Sequence, residues 1–163
     1  MNTDLHPDDV ETLSLAKSAD YLLEECRVVI PGVQTLFGFQ LAVAFTDRFD
    51  NALTHSEKLL HFGALALVGG AIALIMAPAA YHRLTSADRV TSHFLRVSTR
   101  MLLAGMPLLM LSLAMDTYLV GRIITGTRVA GWVAGVMLAT FAGLWFALPL
   151  VSRVLRLDPS ARR

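Results

Sequence analysis

Four long apolar runs, at about residues 28–45, 59–80, 101–120 and 129–151, decide most of what this chain can become. Each approaches or exceeds the ~20 residues that a helix needs to cross a bilayer. At 163 residues the chain has the length of one soluble domain, but 55% of it is hydrophobic and only 17% charged. The apolar residues sit in blocks instead of the scattered pattern of a soluble amphipathic fold. The expected fold is therefore all-α: a polytopic membrane protein, with four transmembrane helices in an antiparallel bundle and a cytoplasmic N-terminal amphipathic helix. Residues 1–27 form the cytoplasmic segment, 28–151 the bundle and 152–163 a basic tail.

Charge placement sets the orientation. Of the 14 Lys and Arg residues, ten fall on the side that holds both termini, and Arg48, Lys58, Arg122 and Arg128 fall on the other. The positive-inside rule makes both termini cytoplasmic. More than twenty polar, acidic residues precede the first apolar run, so a cleavable signal peptide is not expected and the first span directs insertion. The net charge of +1 gives no field for nucleic acid. The lone cysteine, Cys26, excludes a disulfide within the chain.

Local signals place the helix ends. Asp8 or Asp9 caps the N-terminal helix, and Pro31 predicts a bend where it joins the first span. Thr54-His55-Ser56-Glu57 reads as a capping box before the second span. Ser86 caps an amphipathic lead-in to the third span carrying Arg89, Arg96 and Arg100, which is expected to lie beside the acids Asp20, Glu24 and Glu25. Gly63, Ala66, Gly70, Ala73, Ala77 and Ala80 make a stripe of small residues on the second span. Gly131, Gly135, Ala139, Gly143 and Ala147 make one on the fourth. Small residues let helix backbones approach closely, so spans two and four are expected to pack through these faces.

Polar residues within the spans are the candidates for function. Glu24, Arg27, Pro31, Gln34 and Gly38 step by three and four along one face of the first helix. Such a stripe is expected to face protein or water, because hydrocarbon supplies no hydrogen-bond partners. With Tyr81, His82 and Arg83 arriving at the same depth from the second span, Arg27 and Gln34 define a shallow inward-facing pocket. Its basic lining suits an anion, and an anionic lipid head group is the plainest candidate. Asp116, with Ser112 one turn before it, is the one acid inside an apolar run. It is read either as a proton or cation site, or as a hydrated residue near the outer interface paired with Arg122 or Arg48. Gln40 lies at a different angle from Gln34 and is read as interhelical hydrogen bonding. The histidines, each near a membrane boundary, do not make a metal or haem site. No HExxH, GxSxG, phosphate-loop or CxxC pattern occurs, so neither catalysis nor a cofactor is expected.

One set of residues carries a resemblance: Glu25, Arg27, Gly32, Gln34, Phe37 and Phe39 in the first span, Arg48-Phe49 after it, and Pro78, Tyr81, His82 and Arg83 closing the second. Across about residues 22–151 the chain resembles a family of small four-span bacterial membrane proteins, common in actinobacteria and known only as a domain of unknown function. Members are sometimes labelled sodium/proton antiporters. Exchangers of that kind use more spans and a buried acid at the midplane, so the resemblance implies the fold and leaves the function open. The leading expectation is a non-enzymatic membrane module that self-associates or binds another membrane protein. The alternative is a small oligomeric channel or a proton- or cation-coupled transporter using Asp116 and Gln34.

Overall fold

The computed structural model describes residues 14–85 and 90–157. The expected caps at Asp8, Asp9 and Ser86, as well as Arg89, lie outside them. Every element among the described residues is helical. Helix α1 (Leu15–Ala44) starts at Ser14, whose hydroxyl accepts from the Lys17 amide, and runs unbroken through Pro31. Thr46 caps the short α2 (Asp47–Ala52) by accepting from the Phe49 amide. Asp47 and Asp50 stand in its first turn, where the helix dipole favours acids.

Helix α3 (His55–Thr85) begins at the capping box read from the sequence: the Glu57 carboxylate accepts from the Thr54 amide at 2.8 Å and its hydroxyl at 2.7 Å. Thr91 caps α4 (Ser92–Thr125), so the amphipathic lead-in and the third span are one helix. The turn to α5 (Thr127–Ala142) is made at Gly126, whose φ of 87° is the left-handed region that favours glycine. A π-helical turn, Gly143–Ala147, carries α5 into α6 (Leu148–Leu157), with the Leu148 amide bonded to the Gly143 carbonyl. Pro149 follows at once and has no amide to give to an α-register. Four stretches, Leu15–Ala44, His55–Thr85, Ser92–Thr125 and Thr127–Val154, are long and apolar enough to cross a membrane.

α3 packs on α4 and α4 on α5, while α1 lies on α3 with a lighter contact to α4. The core joins Leu22, Cys26 and Val33 of α1 to Val68, Ala71 and Ile75 of α3 and Leu109 of α4. Small residues make the close approaches, but between different spans from those expected. A Cβ added at Gly63 or Gly70 would stand 3.3 Å from Met115 or Leu108 of α4. One added at Gly131 or Gly135 of α5 meets nothing within 4 Å. Spans two and four therefore do not pair through their stripes: short connections bring sequence neighbours together, and α5 offers α4 its Ala130 and Ala134 side.

The first helix is also turned differently from the expectation. Its buried row is Ala19, Leu22, Cys26, Val33 and Gln40, while Glu24, Arg27, Pro31, Gln34 and Gly38 are exposed. Glu24 and Arg27 pair with each other at 2.9 Å, outside the bundle. Among the described residues no ion pair joins the acids of α1 to Arg96 or Arg100, both exposed.

Gly121 tests the packing at the α4–α5 turn, because a Cβ there would meet the Ala130 Cβ at 3.2 Å and its Cα at 3.3 Å. Gly121→Leu should destabilise the protein by about 1–3 kcal/mol, measured by denaturing-detergent titration in mixed micelles. Gly32→Ala, where nothing lies within 4 Å, should be neutral or stabilising by up to about 1 kcal/mol.

Candidate functional site

Polar side chains gather in two layers at the α2 end of the bundle. In the outer layer Glu57 of α3 forms an ion pair with Arg122 of α4. Arg122 also reaches the Ala52 carbonyl that ends α2, at 3.4 Å. At the rim Lys58 pairs with Asp50, and its hydrogen bond and charge hold the Asp50 carboxyl below the usual carboxylate range. The inner layer is formed by Gln40, His61, Ser112 and Asp116.

Helical spacing assembles this inner layer. Ser112 and Asp116, four apart, share one face of α4, and His61 lies one turn along α3 from Glu57. Asp116 stands nine residues before the end of α4 at Thr125, roughly 13 Å along a helix rising 1.5 Å per residue. Gln40 is the hub. Its amide nitrogen donates to the Ser112 hydroxyl at 3.0 Å and to the Asp116 carboxylate. Ser112 in turn donates to the Ala64 carbonyl of α3 at 2.9 Å. The Gln40 backbone carbonyl meets His61 Nε2 at 3.0 Å, and His61 Nδ1 faces Asp116 Oδ1 at 3.6 Å. Phe49 of α2 closes over the imidazole with ring centroids 5.0 Å apart.

Donor and acceptor rules fix where the protons lie. A carbonyl only accepts, so His61 Nε2 carries hydrogen and donates to Gln40. That leaves Nδ1 pointing at a carboxylate. Two lone pairs would repel there, so one proton belongs to the pair, on Nδ1 or on Oδ1. With a single proton on Nδ1 or Oδ1 the His61–Asp116 unit is neutral overall.

These groups form the floor of a crevice of about 440 Å³ bounded by α1, α2 and α4. Its walls are apolar, including Leu36, Phe39, Val43, Leu119, Val120 and Ile123, and Arg48 lies on it as well. Arg48 is exposed. The size and the few polar groups are those of a small-molecule site.

Asp116 and Ser112 meet here, through Gln40. Arg122 is taken by Glu57 and is not the partner of Asp116. The interhelical hydrogen bonding read for Gln40 is present. The other five candidates are not brought together: Arg27 and Gln34 are exposed on α1, Arg83 is exposed, and Tyr81 and His82 turn onto Phe94 of α4 at centroid distances of 5.9 Å and 5.3 Å. His61 is the member that sequence reasoning passed over. A signal existed, since Ala19, Cys26, Val33 and Gln40 recur every seven residues and mark the inward face on which Gln40 arrives.

A model of a family of unknown function, DUF6328, matches residues 10–149. No curated protein and no solved structure matches the chain.

Gln40→Leu would leave the Asp116 carboxylate without its amide donor. It should cost about 1–3 kcal/mol of stability, whereas Gln34→Leu, on the outward face, should stay within about 0.5 kcal/mol of wild type. Denaturing-detergent titration of the two variants checks the contrast.

Proposed function

The chain belongs to that family of unknown function, and we propose from its own geometry that it is a non-enzymatic membrane module that binds a small amphiphile. The observation that carries this reading is the crevice of about 440 Å³, with apolar walls and the Gln40–His61–Asp116 floor. An apolar body would lie against α1 and α4, and a hydrogen-bonding head would reach the floor. The Lys and Arg distribution supports both termini on the cytoplasmic side, which puts the crevice in the outer half of a cell membrane. At the opposite end the exposed Arg83, Arg96 and Arg100 suit anionic lipid head groups.

A second reading, self-association, is supported by the exposed row Gly131, Gly135 and Ala139 on α5, with nothing within 4 Å of either glycine. Such a row suits close helix packing with a second copy. The two readings are compatible, and subunit counting in bilayers for Gly135→Leu against wild type tests the second.

Equilibrium dialysis of 1-naphthylmethanol against the protein in nanodiscs tests the first. Saturable binding is expected, lost when Val120→Trp fills the crevice and kept with Leu144→Trp on the exposed outside of the π-turn. Saturable binding that survives Val120→Trp would remove the crevice as the site, and no saturable binding would remove the reading.

A further inference from the structure

The inner layer has spent its donors and kept acceptors. One hydrogen of the Gln40 amide goes to Ser112 and the other to Asp116. The His61 Nε2–H goes to the Gln40 carbonyl. The Gln40 Oε1, on a side chain only 4% exposed, has no partner. Asp116 offers only lone pairs when ionised. A floor with spare acceptors and no spare donors selects a head group rich in N–H.

Resting on the crevice reading above, we propose that the amphiphile is a lipophilic primary ammonium and that it binds by displacing the proton held between His61 Nδ1 and Asp116 Oδ1. Donors on the ammonium nitrogen suit Asp116 Oδ1 and the His61 Nδ1 lone pair. No covalent bond to carbon forms or breaks. The proton leaves to solvent, which leaves His61 neutral with Nε2–H on the Gln40 carbonyl and Asp116 ionised opposite the ammonium. Charge therefore balances, because one positive charge departs as another arrives. Neutrality is what couples the two events, since a net charge inside the apolar span is costly.

The other charged groups do not upset this count. Glu57 of α3 and Arg122 of α4 neutralise each other in the layer above, and α1 presents no charged side chain to the crevice. Arg48 of α2 is exposed, where water and salt screen it.

The test compares 1-naphthylmethylammonium with its neutral isostere 1-naphthylmethanol, by calorimetry in nanodiscs at pH 7 in buffers of differing ionisation enthalpy. The ammonium is expected to bind at least about tenfold more tightly than the alcohol, the worth of one charge-assisted hydrogen bond, and to release about one proton to the buffer. Asp116→Asn should remove the preference for the ammonium and the proton release together. Alcohol binding with no preference for the ammonium would overturn the inference and leave the crevice standing. So would ammonium binding to the wild-type protein without proton release, a result that depends on no variant. If neither probe binds, the crevice reading itself has failed.

Discussion

Gln40 ties three helices together with one side chain and one carbonyl. Its amide donates to Ser112 and Asp116 of α4, and its backbone oxygen accepts from His61 of α3. In a bilayer none of these groups has water to fall back on, so each is satisfied within the bundle or not at all. Interhelical hydrogen bonds in membranes average only ~0.6 kcal/mol. The contribution of the cluster is accordingly less in total stability than in the rotation and depth of α1, which otherwise meets α3 through small and apolar residues and touches α4 lightly. Sliding α1 by one residue would carry the Gln40 amide off both Ser112 and Asp116.

The crevice follows from the same constraint. Because α1 is drawn onto α3 and α4 at Gln40, and α2 folds back over His61 through Phe49, an apolar gap remains between α1, α2 and α4 above the contact. The outer ion pair of Glu57 and Arg122, anchored on the Ala52 carbonyl, keeps α2 in place. A polar contact that orders the bundle therefore also forms the floor of the crevice, an acid–base pair facing an apolar cavity.

The four spans and the Thr54–Glu57 cap were legible because run length and capping are local properties. The six residues of α2 were not: one and a half turns carry too little periodicity, though Thr46 before two acids is a start signal. The first helix offered two rows with acceptable helical spacing. The polar one through Gln34 looked as if it needed shelter, but its charged end pairs with itself outside the bundle, and the apolar heptad ending in Gln40 packs on α3. The depth of Asp116 was underestimated because the apolar run stops at about residue 120 while the helix continues to Thr125. Its partner His61 is fifty-five positions away, and only the antiparallel pairing of α3 with α4 brings them face to face.

Gln40 fixes the His61 tautomer: its carbonyl keeps the hydrogen on Nε2 and leaves Nδ1 as the nitrogen that faces Asp116. Nitrogen-15 NMR of the imidazoles in lipid bilayers, with His61→Gln to assign the signal, measures this directly. His61 Nε2 is expected to carry its hydrogen in every state of the ring. A neutral His61 carrying its hydrogen on Nδ1, with Nε2 bare, would contradict it.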